Sequence, residues 1–170
     1  LKATRLKGGG FNPMYGNKPK KENSCRDALL TRLRARLHPL GIECQPEGDY
    51  ANDKRADIRL SYRNEFELPI EIKRDSNESL WTALHNQLID QYAIAPRANR
   101  HGIYLVLWFG GKGIPCATDG SNKPQSPGEL KNRLEAQLNP IERQQIFVRV
   151  LDVSWPAPTS PHPPISTSSG

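Results

Sequence analysis

The first regular pattern along the chain is a helical one. Leucines recur every three or four residues between positions 29 and 37, which places them along one side of a helix. Most of the arginines in this stretch fall elsewhere on the cylinder. The pattern predicts a helix over 24–38 that is capped by Asn23 or Ser24 and ended by Pro39-Leu40-Gly41.

After this helix, apolar and polar residues alternate with a period of two, which is typical of strands. Residues 42–45 predict a short first strand, and the polar residues 48–54 predict a loop. Residues 56–62 and 66–73 alternate between apolar and polar side chains on either side of a turn at 63–65. These two segments therefore predict a hairpin.

The rest of the chain predicts two further helices and two further strands. Residues 78–95 carry apolar side chains along one broad helical face, and 102–109 form a near-continuous apolar run that is typical of a buried central strand. Ser126-Pro127-Gly128-Glu129 is typical of a capping box that opens a helix to about 138, and 146–153 predict the last strand. The order α-β-β-β-α-β-α-β predicts an α/β domain with a mixed central sheet flanked by helices.

Composition narrows the class of protein. The 170 residues are 36% hydrophobic and 25% charged, which suits one domain with a core. No apolar run approaches the roughly 18 residues of a membrane span, and the first residues do not resemble a secretory signal, so no membrane partner is expected. The three cysteines have no metal-binding or disulfide spacing, which favours free thiols and a cytoplasmic location.

The two ends of the chain differ from its middle. Residues 1–21 are basic and rich in glycine, and they predict a flexible lead-in. Residues 156–170 are rich in Pro, Ser and Thr, and they predict a tail or linker. One domain over 22–155 remains, and because the sequence begins without Met we expect it to be part of a larger protein.

The charge is compatible with a polyanionic partner. The net charge is +6 and the pI is about 9.4, which favours nucleic acid only weakly on its own. Lys20, Lys21 and Arg74 are candidates for contacts to phosphates. Trp81 and Trp108 lie on faces that are predicted to be buried, so they are interpreted as core side chains.

Three residues of the predicted hairpin form a candidate site. Glu71 and Lys73 are two apart on one strand and therefore point to the same face, and Asp57 lies on the preceding strand. Two carboxylates at that point would bind Mg2+ or Mn2+, which keeps several waters. Lys73, which we expect to be partly exposed, would orient or activate the attacking water.

The alternative interpretation is an ordinary strand on which Glu and Lys alternate with Ile. An isolated Glu-x-Lys is common, and Asp75, which follows, is interpreted as a turn residue. The context favours a site, because an Asp at a strand start, a hairpin, Pro-Ile-Glu-Ile-Lys, a long helix and a buried strand occur here together. An accidental match would place Asp57 and Glu71 on opposite sides of the sheet.

This arrangement resembles the PD-(D/E)xK, or restriction-endonuclease-like, superfamily over roughly residues 22–109. The resemblance implies an αβββαβ core in which Asp57 and Glu71 bind the metal and Lys73 is catalytic. It further implies that Glu22, on the first helix, reaches the metal, and that Gln87 or Gln91 supplies a functional amide, Gln91 as a catalytic residue or Gln87 at the nucleic acid. Ala56 stands where the Pro of the family name would be.

The resemblance also implies a function. It indicates a Mg2+-dependent endonuclease acting on nucleic acid, with DNA as the expected substrate. The domain would be the effector module of a larger bacterial protein, with a role in phage defence, and would work beside the other domains of that chain. Double-strand cleavage would favour a homodimer. The alternative is a catalytically inactive module of the same fold that binds nucleic acid or acts as a scaffold.

Overall fold

The structure is a computed structural model that describes residues 14, 18–50, 54–63, 65–117 and 119–154. The predicted tail, and the predicted lead-in apart from residues 14 and 18–21, lie outside this part of the chain. The elements in chain order are α1 (Glu22–Leu37), a short 3-10 helix (His38–Leu40), β1 (Ile42–Tyr50), β2 (Lys54–Tyr62), β3 (Phe66–Arg74), a π-helix (Leu84–Tyr92), β4 (Gly102–Trp108), α2 (Pro127–Ala136), α3 (Glu142–Gln145) and β5 (Ile146–Asp152).

The five strands form one mixed sheet in the order β1-β2-β3-β4-β5. The first three strands are antiparallel neighbours, whereas β4 runs parallel to β3 and β5 runs parallel to β4. Parallel neighbours need a crossover, and the π-helix and α2 occupy these two connections. The predicted α/β class with a mixed sheet is confirmed.

One face of the sheet packs against α1. Cys25 and Leu30 of α1 are buried against side chains at even positions of β2 and β3. The buried residues of this cluster are Met14, Cys25, Leu30, Cys44, Ile58, Ile70, Ile72, Leu107 and Val153. Met14 is 1% exposed, so this residue of the predicted lead-in packs with the domain.

The other face packs against the π-helix and α2. Leu84, Leu88 and Tyr92 of the π-helix contact the central strands, and α2 contributes Leu130 and Leu134. The strand residues of this cluster include Tyr104, Val106, Trp108, Ile146, Val148 and Val150. Trp81 and Trp108 are both buried here, as predicted, and the face that carries them also carries Glu71 and Lys73, as shown below.

The first helix begins two residues earlier than predicted. Its N-cap is Lys21, which makes no side-chain cap, and neither Asn23 nor Ser24 takes that role. Instead the Glu22 carboxylate accepts hydrogen bonds from the backbone of β3 and from Asn77. A tertiary contact therefore fixes the start of the helix where a local cap was expected.

The first two strands are longer than predicted. Much of the loop expected over 48–54 belongs to β1 and β2, which pair from Ile42–Tyr62 out to Tyr50–Lys54. β1 is an edge strand of the sheet. Polarity alone therefore indicated a loop where the chain continues as a hairpin.

The helix predicted over 78–95 is also different. The chain forms turns up to Thr82, and the π-helix then runs from Leu84 to Tyr92. At its end the Ala93 N–H donates to the Leu88 carbonyl, five residues back. The Leu80 carbonyl accepts a hydrogen bond from the Tyr104 hydroxyl at 2.7 Å. In a longer helix this carbonyl would have accepted a backbone N–H instead.

The C-terminal elements follow their sequence patterns closely. Ser126 accepts a hydrogen bond from the Glu129 N–H at 3.1 Å, which confirms the predicted cap of α2. The helix ends at Ala136, slightly before the predicted end, and the short α3 was not predicted. The three cysteines are free thiols. No helix among the described residues is both long enough and apolar enough to span a bilayer.

Candidate active site

Asp57 lies where β2 leaves β3. The antiparallel register between these strands runs from Tyr62–Phe66 to Ile58–Ile70. One residue further on, the Asp57 carboxylate accepts a hydrogen bond from the Ile72 N–H at 2.8 Å. A side chain thus takes the place of a strand partner, and it is fixed against the strand that carries the other two candidate residues.

Glu71 and Lys73 lie on β3 and point away from α1. The even residues beside them, Ile70 and Ile72, belong to the α1 cluster, so the odd residues face the π-helix. Lys73 Nζ donates to Glu71 Oε1 at 2.5 Å, and the two residues are 7% and 3% exposed. The expectation that Lys73 is partly exposed is wrong, because the π-helix and β4 cover this side of β3.

The charges of these residues act on one another. The pKa of Glu71 is raised to about 7, first by burial and then by the charge of Asp57, while Lys73 opposes both effects. Burial also raises the pKa of Asp57, against the hydrogen bond from Ile72 and the charge of Lys73. The charge of Asp57 therefore acts on the Glu71 carboxyl group.

Lys73 keeps its positive charge in this setting. Burial is the largest single effect and lowers the pKa of its ammonium group, but the charge and hydrogen bond of Glu71 together with the nearby carboxylates raise it, and the net shift is upward. Glu22 and Asp57 act in the same direction as Glu71. The site therefore combines a fixed ammonium group with carboxyl groups that titrate unusually high.

Glu22 is brought to the site from the first turn of α1. Its Oε2 accepts hydrogen bonds from the Arg74 N–H at 2.9 Å and from Asn77 Nδ2 at 3.1 Å. Its charge acts on the pKa values of Asp57, Glu71 and Lys73. Glu22 therefore joins α1 to the end of β3, with one oxygen committed to that contact.

Two groups near the site were not found from the sequence. The Tyr92 hydroxyl has its pKa raised to about 12, by burial and then by the charges of Glu71 and Asp57. Arg26, one helical turn after Glu22, lowers the pKa of Asp57. Tyr92 was interpreted only as part of an apolar helix face, and its spacing from Gln91 gave no other signal.

The two glutamines of the helix motif have different surroundings. Gln87 is half-buried, and its Oε1 has no hydrogen-bond partner among the described residues. Gln91 is half-buried on the same π-helix. In the part of the chain that the structure describes, no hydrogen bond joins either amide to Asp57, Glu71 or Lys73.

The predicted phosphate-contacting residues lie on the α1 side of the site. Lys21 is exposed, and Lys20 is half-buried near Cys25. Burial raises the pKa of the Cys25 thiol, and the charges of Arg74 and Lys20 partly oppose that rise. The Arg74 guanidinium lies over the Phe109 ring at 5.0 Å. Asp75 lies in a turn directly after β3, as interpreted, and its buried carboxylate accepts from the Phe109 and Gly111 N–H groups.

The donor set of the site fits a small divalent cation. Two carboxyl groups converge at a buried point, and a cation there would favour their ionised forms. Within the described ranges, no group of three or more His, Cys, Asp or Glu side chains is arranged as a metal site. Mg2+ is commonly held by one or two carboxylates, because it keeps several of its waters.

An α/β domain with a buried site of two carboxylates and a lysine is the class of protein that this fold and site define. Comparison with protein families matches residues 7–111 to the family described as Domain of unknown function (DUF8371), and the chain belongs to that family. The match ends before α2, and it contains Glu22, Asp57, Glu71 and Lys73. Searches of curated proteins and of solved structures returned no match.

Proposed function

We propose that this domain is a metal-dependent nuclease of the PD-(D/E)xK type that hydrolyses phosphodiester bonds of DNA. The observation that carries the proposal is the convergence of Asp57, Glu71 and Lys73 at the point where β2 leaves β3. The order of α1, three antiparallel strands, a helix and a parallel strand agrees with an αβββαβ core. The restriction-endonuclease-like fold is part of the same proposal.

The chain's own groups would divide the work as follows. Asp57 and Glu71, with Glu22 beside them, would hold Mg2+ or Mn2+, which supplies Lewis-acid activation of the phosphoryl group and of water when bound. Lys73 would keep a positive charge next to the attacking oxygen and balance the charge that develops on the phosphoryl oxygens. Tyr92 and its buried apolar neighbours would limit access of water from the π-helix side.

A second function, binding without cleavage, is favoured by one contact. The Lys73 ammonium already pairs with Glu71 at 2.5 Å, so both charges are satisfied without an ion. A scaffold or nucleic-acid-binding module of the same fold could keep such a pair for stability. The catalytic proposal is preferred because Asp57 and Glu22 add two further carboxyl groups near the pair, and a cation would balance their charge.

The wider setting is proposed on the same basis. The domain would act in the cytoplasm as the effector module of a larger bacterial protein, with a role in phage defence. Its partners would be DNA, the other domains of that chain and a second copy, since one site per chain cuts one strand at a time. The family match covers residues 7–111, which is compatible with one domain of a larger protein.

Cleavage of supercoiled plasmid tests the proposal. Wild type is incubated with Mg2+, with Mn2+ or with EDTA, beside Asp57→Asn and the control Glu43→Gln, an exposed residue of the edge strand. We expect metal-dependent nicking by wild type and by the control, and none by Asp57→Asn. A folded wild type that binds the plasmid but leaves it intact in both metals would instead support the non-catalytic module.

A further inference from the structure

Glu67 is the centre of a second charged cluster. Its side chain is 12% exposed, and its Oε1 lies 3.3 Å from Arg97 Nη1 and 3.7 Å from Arg59 Nη1. The backbone holds the cluster together as well, because the Glu67 N–H donates to the Arg97 carbonyl at 3.0 Å. Two guanidinium groups therefore share one carboxylate oxygen.

This cluster lies on the same face of the sheet as the candidate site. Glu67, Glu71 and Lys73 are all odd positions of β3, and Arg59 lies opposite Pro69 in the β2–β3 register. Glu71 comes four positions after Glu67, which is about 13 Å along a strand. A duplex covers that length in about four base-pair steps, at about 3.4 Å per step.

The cluster is not built only to neutralise Glu67. Two arginines and one carboxylate leave an excess of one positive charge, and both contacts exceed the roughly 2.7–2.9 Å of a charge-assisted hydrogen bond. Arg59 donates from Nη2 to Gln45 Oε1, and its side chain is 24% exposed. Arg97 is 55% exposed at its side chain. Donors therefore remain for an anion from outside.

We propose that Arg59 and Arg97 bind a phosphodiester group of the nucleic-acid backbone, about four nucleotides from the bond at Glu71 and Lys73. The planar guanidinium group matches the oxygens of a phosphate, and Glu67 positions both guanidinium groups when no nucleic acid is bound. This inference rests on the proposed function. It adds a second contact that would position the nucleic acid beside the site.

Salt-dependent binding of a fluorescein-labelled 20-base-pair duplex, followed by anisotropy in EDTA so that nothing is cut, tests this. Each phosphate contact contributes about 0.9 to the slope of log K against log salt. We expect Arg59→Gln and Arg97→Gln each to reduce the slope by about one and the affinity about five- to tenfold at 0.1 M salt. Arg36→Gln, an exposed arginine at the far end of α1, should match wild type.

Removing the carboxylate separates binding from a merely structural role. Glu67→Gln frees both arginines and should bind the duplex more tightly, with a steeper slope, than Glu135→Gln, which removes an equal charge from an ion pair on α2. If Glu67→Gln and Glu135→Gln bind alike, or if both arginine variants keep the wild-type slope while wild type still cleaves plasmid, the inference fails and the nuclease stands. A wild type that cleaves nothing, with slopes that change as expected, would overturn the nuclease and leave the phosphate contact.

Discussion

Ile72 donates its backbone N–H to the Asp57 carboxylate at 2.8 Å, in a hydrogen bond that a regular pair of strands would not contain. The β2–β3 register ends at Ile58–Ile70, so β2 no longer pairs with the Ile72 N–H. The Asp57 carboxylate accepts that N–H instead. Because Ile72 lies between Glu71 and Lys73, this one contact fixes the candidate ligand on β2 against both candidate residues of β3. The candidate site therefore forms at the point where the two strands separate.

Substitutions at Asp57 should separate its structural role from its ligand role. Asp57→Asn keeps an oxygen that can accept from Ile72, whereas Asp57→Ala leaves that buried N–H without an acceptor, which costs about 1–3 kcal/mol. We expect the Asn variant to be the more stable of the two by about that amount in urea unfolding. Both variants should lose Mn2+ binding in calorimetry, and unchanged Mn2+ affinity in both would refute the ligand assignment.

Lys73 and Glu71 should be strongly coupled in stability. Because both are buried, Lys73→Met leaves a carboxylate without its partner, and at pH 8 we expect a loss of about 3–5 kcal/mol. The double variant Glu71→Gln/Lys73→Met removes both charges and should recover most of that loss. Urea unfolding of the four proteins of the cycle gives the coupling energy. Additive effects of the two substitutions would show that the pair is not a buried unit.

The surface pair of Lys131 and Glu135 is the matched control for this cycle. Its two residues are also joined at 2.6 Å, but both side chains are about a third exposed on α2. An exposed pair of this kind contributes about 0.3–0.5 kcal/mol. The same cycle at these positions should therefore give a coupling energy several times smaller than that of Lys73 and Glu71.

The fold was predictable where a pattern reports on burial. Residues 102–109 are apolar because β4 is covered on both faces, and the period-two alternation at 66–73 follows the two environments of β3. The sequence patterns gave wrong boundaries where hydrogen bonds to distant residues determine the structure. Polar residues of β1 form a strand because β2 pairs with them, and the start of α1 is set by β3, neither of which leaves a local signal.

The site was predictable in its residue types and less so in its surroundings. The spacing of Glu71 and Lys73 dictates a shared face, and that depends on strand geometry alone. The burial of Lys73 depends on how closely the π-helix approaches the sheet, which no residue of β3 encodes. For the same reason Tyr92 was interpreted as packing, although its hydroxyl responds to the charges of Glu71 and Asp57.

The pH dependence of stability should carry the signature of Glu71. Its pKa is raised from 4.5 to about 7 in the folded state, so the folded protein binds the additional proton between these values. The stabilisation from this group is complete below about pH 4.5 and is lost as the pH rises through 7. The raised pKa of Asp57 has the same sign. Without metal, wild type should therefore lose stability between pH 5.5 and 8.

Glu71→Gln provides the comparison for that measurement. The variant does not titrate at this position, so its urea midpoint should change less than that of wild type between pH 5.5 and 8. Saturating Mg2+ should reduce or reverse the decline in wild type, because a cation binds the ionised carboxylates. Equal pH slopes for wild type and Glu71→Gln would contradict the raised pKa.

The approach of the π-helix to the sheet should depend on Gly102, the first residue of β4. A Cβ at this position would lie 2.8 Å from Leu88 Cδ1, and Leu88 is completely buried. Gly102→Ala therefore forces Leu88 or the π-helix to move, and overpacking of this kind costs about 1–3 kcal/mol. Leu88 and Tyr92 lie on the same π-helix, so the displacement should also change the environment of Tyr92 near Glu71.

Gly128→Ala is the control for Gly102→Ala, because a Cβ at position 128 meets nothing closer than 3.9 Å on the exposed first turn of α2. There the substitution should be neutral or stabilising by about 0.5–1 kcal/mol, since alanine favours a helix over glycine. The unfolding temperature of Gly102→Ala should be lower than that of wild type. Its Mn2+ affinity should also be lower if the π-helix sets the geometry of the site. A destabilised Gly102→Ala that binds Mn2+ as wild type does would show that Asp57 and β3 position the carboxylates without the π-helix.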